Sequence, residues 1–289
     1  MNGAGSLTVE PLGEDDLPAV AALMHAHMNP RIPVADWERS YRMPWARCGP
    51  HYGYGLWQDG RLAGAYTVIW SRRTVDGREE LFGNLAAWCV EPELRLHSLS
   101  LLKQVLADKQ VHLTDLSPKP EVARLMRRFG FEALDTTWCL MPNLPWWGLT
   151  RILTDPAAIA ARLAGDARQV FEDHRDVGAV HHLLLDVRDR PCHVMYHRRT
   201  RKGVPCVTVL HVSEPAALPG RYLGLGGHFL RRERALLTVW EDRFLVRRPL
   251  LSRRTASPHA KLFRSPTLGP GRIDNLYSEL VTLAEPGSK

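Results

Sequence analysis

The chain has 289 residues, 45% apolar and 24% charged, with a formal net charge of +7 and a pI near 9.4. These values are ordinary for a soluble globular protein of one large or two small domains. No apolar run is long enough to cross a membrane, no basic-then-apolar leader opens the chain, and five scattered cysteines without a Cys-x-x-Cys pair suggest neither zinc nor a disulfide framework. Free thiols of this kind imply a cytoplasmic protein.

In chain order, Leu7–Pro11 reads as a short strand and Glu14–Met28 as an amphipathic helix with acidic residues in its first turn, where the helix dipole favours them. Residues 30–50, rich in Pro, Trp and Arg, predict an irregular wrap with a short helix. Two hairpins follow, around Asp59-Gly60 and Asp76-Gly77, because Asp-Gly between apolar runs favours the tight turn that joins antiparallel strands. The spacing then predicts a strand ending at Val90, a helix over 97–108, a strand over 111–116, a helix over 119–129 closed by Gly130, and one strand over 131–141. Residues 142–147 read as a junction. A helix is predicted over 155–171, strands over 180–187, 192–198 and 204–212, a helix over 220–232 and a strand over 235–240. Residues 250–272 predict an extended loop, and 275–283 a terminal helix. The second half repeats the central strand-strand-strand-helix-strand order of the first.

The most informative stretch is Val90-Glu91-Pro92-Glu93-Leu94-Arg95-Leu96-His97-Ser98-Leu99-Ser100, between a strand and a helix. The first amides of a helix lack intrahelical partners and the dipole is positive there, which suits a phosphate. Ser98 and Ser100 are small and carry hydroxyl donors, and Arg95 can add a charge-assisted contact. The expected phosphate-holding set is Val90, Arg95, Leu96, His97, Ser98, Leu99 and Ser100.

This strand leading into V-x-P-x-x-R-x-x-S-x-S, followed by 117–131 ending Arg128-Phe129-Gly130-Phe131, resembles the GNAT superfamily of acyl-CoA-dependent acyltransferases over residues 7–141. Serines stand where that family's turn usually has glycines. The resemblance implies an α/β fold of the α+β, mixed-sheet kind, with two GNAT-like halves in tandem: residues 1–145 binding the cofactor and 146–289 a degenerate second domain. It implies acetyl-CoA or another acyl-CoA as co-substrate, without a metal, and transfer of the acyl group to a small-molecule amine such as an amino sugar or amino acid derivative. The tyrosine that often serves as the acid in this family is replaced by Met126. Leu223-Gly224-Leu225-Gly226-Gly227, in the second half, reads as close helix packing rather than a second phosphate turn.

Acyl transfer to an amine needs a polarised carbonyl and a proton acceptor. Glu91, at the end of the fourth strand, and Asp115, on the fifth, are the candidate catalytic carboxylates. Asn84 and His25 are candidates for orienting the acceptor. The aromatic groups Trp37, Tyr41, Trp45 and Tyr52, Tyr54, Trp57 fit either core packing or an acceptor groove. His174 and the pair His181/His182 lack an acidic partner at ligand spacing, so no metal is assigned. Basic clusters at 72–73, 127–128, 197–202, 231–234 and 247–254 come without a zinc finger, an RNP motif or a long basic tract, so nucleic acid is not the expected partner. The alternative reading is a non-catalytic GNAT-like binding or assembly protein of a biosynthetic pathway. The oligomeric state is open.

Overall fold

In chain order the secondary structure runs β1 (Leu7–Pro11), α1 (Leu17–His27), α2 (Val34–Tyr41), β2 (Gly53–Gln58), β3 (Arg61–Val75), β4 (Arg78–Val90), α3 (Ser98–Val105), β5 (His112–Asp115), α4 (Pro120–Arg128) and β6 (Glu132–Ala133). It continues with β7 (Trp138–Pro142), β8 (Ile152–Leu153), α5 (Pro156–Arg162), α6 (Gly165–His174), β9 (His181–Leu185), β10 (Cys192–Arg201), β11 (Val204–Val212), α7 (Tyr222–Glu233), β12 (Leu237–Glu241), β13 (Arg253–Thr255), β14 (Leu262–Arg264) and α8 (Glu279–Thr282). These assignments come from a computed structural model describing residues 6–146 and 148–283.

Among the described residues, the chain divides into a first unit of 6–134, 261–273 and 277–283 and a second of 135–260 and 274–276. The sequence places one division at 145/146, whereas each of these units draws on separate stretches of chain. Each holds a seven-stranded mixed sheet, ordered β1-β2-β3-β4-β5-β14-β6 in the first and β8-β9-β10-β11-β12-β7-β13 in the second. Read in that direction, both sheets have three antiparallel pairings, then one parallel pairing, then two antiparallel ones. The parallel neighbours are β4 with β5 and β11 with β12, and each pair is joined through a helix, as parallel strands require. The structural repeat expected from the pattern is therefore present.

Turn chemistry explains the hairpins. Asp59-Gly60, Asp76-Gly77 and Lys202-Gly203 all take positive φ at both positions (50° and 79°, 51° and 79°, 49° and 78°), the turn whose twist matches the flanking strands. In the first unit Leu17, Val20 and Met24 of α1 join Trp37 and Tyr41 of α2 in a core with Ala65, Ile69 and Ala87 of the sheet. In the second, Val194 and Tyr196 of β10 and Val207 and Val209 of β11 pack with Leu225 and Phe229 of α7 and Trp240 of β12.

Four expectations from the sequence are corrected. The single strand over 131–141 is two strands in different sheets: Leu134 N–H donates to Lys261 O (2.9 Å), extending the pairing of β6 with β14, and the chain leaves that sheet over 135–137 before β7 begins at Trp138. The single helix over 155–171 is two: Leu163 is extended (ψ 148°) and Gly165 takes φ 54°. Its start is as expected, with the Asp155 carboxylate accepting from Ala158 N–H (2.8 Å). The extended segment 250–272 contributes β13 and β14, and the terminal helix shrinks to 279–282. No helix among the described residues is long and apolar enough to cross a membrane.

Candidate functional site

The first unit's sheet opens between β4 and β5. These strands pair only through Phe82–His112, Gly83–Leu113 and Asn84–Thr114, after which β4 runs on to Val90 while β5 ends at Asp115. At the same level β4 carries a bulge: Thr67 faces Ala87 and Val68 faces Leu85, leaving Ala86 unmatched on β3. A bulge re-aims backbone groups and sharpens local twist. The β5-facing backbone of the last part of β4 thus has no strand partner among the described residues.

A buried polar cluster lies where the strands part. Asn84, 1% exposed, donates from Nδ2 to Thr114 Oγ1 (3.1 Å) and accepts from Glu279 N–H on Oδ1 (3.2 Å). The Ser117 hydroxyl donates to Glu279 Oε1 at 2.6 Å, and Ser117 N–H donates to the Asp115 carboxylate. Burial pushes the Glu279 carboxyl up to about 7 despite the opposing bonds from Ser117 and Asn84 and the charge of Lys261. Burial also holds the Asp115 carboxyl well above the usual carboxylate range, and the Glu279 charge adds to the effect. The hydroxyls of Tyr41 and Tyr66 are kept protonated, chiefly by burial. The Glu279 carboxyl, buried beside the Ser117 hydroxyl, can accept and return a proton near neutral pH.

The remaining sequence candidates fall in three places. Past Val90 the chain makes two tight turns of 3-10 helix over Pro92–His97 and enters α3. Ser98 N–H already donates to Arg95 O, and the Ser100 hydroxyl donates to His97 O at 2.5 Å, so part of the expected donor set has partners within the turn. Arg95, Leu96, His97 and Leu99 are exposed, and Ser98 and Ser100 are half-buried. Arg95 makes no ion pair among the described residues; it and Lys119 draw the Cys89 thiol down against the larger effect of burial, so two cations flank this end of β4. Glu91 is gripped by Arg61 through both oxygens (2.5 and 2.8 Å), with His27 Nε2 at 3.9 Å. The Arg61 hydrogen bond lowers its pKa, which makes Glu91 a poor proton acceptor. His25 engages Ile32 O through Nδ1 (2.8 Å) and secures the chain after α1. The structure therefore gathers Asn84 and Asp115 into one cluster, and gives Glu91 and His25 partners of their own.

Trp37 and Tyr41 are core residues, with Trp45, Tyr52 and Trp57 packed against them, and Met126 is fully buried. Among the described residues no group of three or more His, Cys, Asp or Glu side chains is placed to hold a metal. Glu279 is the site residue missed in the sequence. Its signal was a lone charge in the otherwise uncharged stretch 275–283, where a carboxylate among apolar neighbours must find buried partners.

No protein-family model and no curated protein sequence matches the chain. Solved structures do. A GCN5-related N-acetyltransferase from Anabaena variabilis is 11% identical with a TM-score of 0.60, over 89% of this chain and 72% of that one. Another from Kribbella flavida is 16% identical with a TM-score of 0.58, over 90% and 71%. A Pyrococcus horikoshii protein described as a candidate acetyltransferase is 12% identical with a TM-score of 0.56, over 98% and 96%. The fold is that of the GCN5-related N-acetyltransferases, with two mixed sheets of the same pairing pattern.

Proposed function

We propose that the first unit transfers an acyl group from an acyl-CoA thioester, acetyl or longer, to a small-molecule amine. One observation carries the reading: β4 and β5 part beyond Asn84–Thr114, beside a bulge at Ala86, and a buried carboxyl with a pKa near 7 stands at that fork. A pantetheine arm entering the opening completes the missing strand pairing of β4 with its own amides. The thioester carbonyl then meets backbone N–H groups near the bulge, which stabilise the oxyanion as the amine attacks. Glu279 accepts the proton the amine loses, either alone or through Asp115, and Asn84 holds the Glu279 main chain in place. The C–S bond breaks and the thiolate leaves without the usual tyrosine acid.

At the other end, Arg95 and the start of α3 at Leu99 and Ser100 hold the diphosphate, with Val90 to Ser98 shaping the turn, the Ser98 amide being spent on Arg95 O. Five free cysteines, four of them buried, suit a reducing cytoplasm. The test is thiol release from acetyl-CoA and longer acyl-CoA with a panel of amines, using the full chain. Amine-dependent release that Glu279→Gln suppresses supports the reading. Absence of both release and thermal protection with every acyl-CoA overturns it. Binding without turnover favours a non-catalytic GNAT-fold protein, a reading supported by the Ser100 hydroxyl turned onto His97 O and by Met126.

A further inference from the structure

The second unit contains a cavity of about 380 Å³ beneath α5, α6 and α7 and beside β9 and β10. We propose that it binds a small organic anion: an oxyanion, phosphate or carboxylate, carried on an apolar stem. The volume lies within the range of small-molecule sites.

The walls are strongly cationic. Arg175, Arg198 and Arg232 line the cavity, and Glu233 is the single acid among its lining residues. Glu233 is already committed, pairing with Arg198 and accepting from the Tyr196 hydroxyl (2.7 Å). Arg175 is balanced by Glu172 at 2.8 Å and by Asp176 at 3.5 Å, neither of which lines the cavity. Arg232, one helical position before Glu233, makes no ion pair among the described residues. The cavity therefore keeps a positive excess after its internal pairs are formed, and a guanidinium fork favours phosphate or carboxylate.

A second observation points the same way. His228, on the cavity wall, has its Nε2 buried without a hydrogen-bond partner. An unpaired buried polar nitrogen is costly unless something fills its bonding position. Burial lowers the pKa of His228 and of His181, which also lines the cavity. Both rings are therefore neutral near pH 7 and each keeps an N–H able to donate to an oxyanion without adding charge. Pro156, Ile159, Phe171 and Val180 supply an apolar part of the lining, suited to a hydrocarbon or aromatic stem.

The test is calorimetric titration of the full chain with phenyl phosphate, benzoate and inorganic phosphate, with benzylamine as the cationic counterpart of the same shape. Binding of phenyl phosphate or benzoate, weakened about tenfold or more by Arg232→Ala and by His228→Phe, and no binding of benzylamine, is the expected result. Preference for phenyl phosphate over benzoate assigns a phosphate ligand, and the reverse a carboxylate. Arg232 is exposed, so the fold of its variant is secure, and thermal melts establish it for both. The inference is overturned if neither anion binds up to about 10 mM, if both variants bind as the parent does, or if benzylamine binds equally. None of these outcomes bears on acyl transfer by the first unit.

Discussion

The Ser117 hydroxyl donates to the Glu279 carboxylate across 2.6 Å, joining residues 162 positions apart. It fastens the last helix of the first unit onto the turn after β5, at the fork where β4 and β5 diverge. Of the acidic residues near this opening, the sequence singled out Glu91 and Asp115, yet Glu91 is neutralised by Arg61 and only Asp115 belongs to the cluster. Glu279→Gln keeps an oxygen acceptor for Ser117 and removes the proton acceptor. It lowers amine-dependent turnover by about 100-fold or more, whereas Glu91→Gln leaves turnover nearly intact. In the parent, kcat/KM rises with pH through about 7 as Glu279 ionises, and that limb is absent in the variant. A Glu91→Gln loss as large as that of Glu279→Gln would reverse the assignment.

Glu279→Gln also has a consequence for stability with a defined sign. The folded-state pKa is raised from 4.5 to about 7, so the native state holds its proton more tightly than the unfolded chain. Stability contributed by the group is complete below the unfolded value and is lost as pH rises through about 7. Above that, the buried charge costs on the order of 3 kcal/mol. Urea melts at pH 8 should therefore show Glu279→Gln as more stable than the parent, with the difference shrinking toward pH 5. A variant less stable at pH 8 would mean that Glu279 is charged and well compensated in the native protein.

Arg95 tests the opposite end of the opening. Its guanidinium is exposed and, among the described residues, makes no ion pair, so Arg95→Glu reverses charge without breaking a native contact. Thermal protection by acetyl-CoA should disappear in this variant while its own melting temperature stays near that of the parent. Retained protection would place the diphosphate elsewhere.

Asn84 joins three elements: Thr114 on β5 through Nδ2 and the start of α8 through Oδ1. Asn84→Ala leaves Glu279 N–H and Thr114 Oγ1 buried with a partner removed. The expected cost is about 2 kcal/mol in urea unfolding, and a change below about 0.5 kcal/mol would show that the cluster rearranges around the gap.

Much of this architecture was legible because its signals are local. Asp59-Gly60 and Asp76-Gly77 announce the hairpins, Asp155 caps its helix, and the strand-helix-strand order on either side of Val90 carries the parallel pair. What escaped depends on distant partners. Leu262-Phe263-Arg264 is three residues in a stretch rich in Arg, Ser and Pro; it becomes β14 only because β5 and β6 leave a place between them. Glu279 looked like part of an apolar docking helix because its partners, Ser117 and Asn84, are far back in the chain. The donor set of the turn at 95–100 was overestimated, since sequence shows the serines but not that Ser100 Oγ would turn onto His97 O.

The second unit should respond to acid in the opposite sense to Glu279. His182 Nδ1 and His193 Nε2 stand 3.0 Å apart with stacked rings, His211 lies against His193, and His174 O accepts from His182 Nε2 (3.1 Å). Burial drives His174 down to about 3 and His182 to about 4, and holds His193 well below 6.5 and His211 below it. The Asp274 carboxylate opposes this only for His174 and His211. Because the folded pKa values are depressed, stability is complete above about 6.5 and drains away as pH falls through the folded values. Each of His174 and His182 contributes on the order of 3 kcal/mol to the loss by about pH 4. Hydrogen exchange from pH 7 to pH 5 should therefore show protection of β9, β10 and β11 collapsing before that of β3 and β4. His182→Phe, which keeps the ring and removes the titrating group, should blunt that collapse. Equal loss of protection in both sheets, unaffected by His182→Phe, would show that the imidazoles do not govern the acid response.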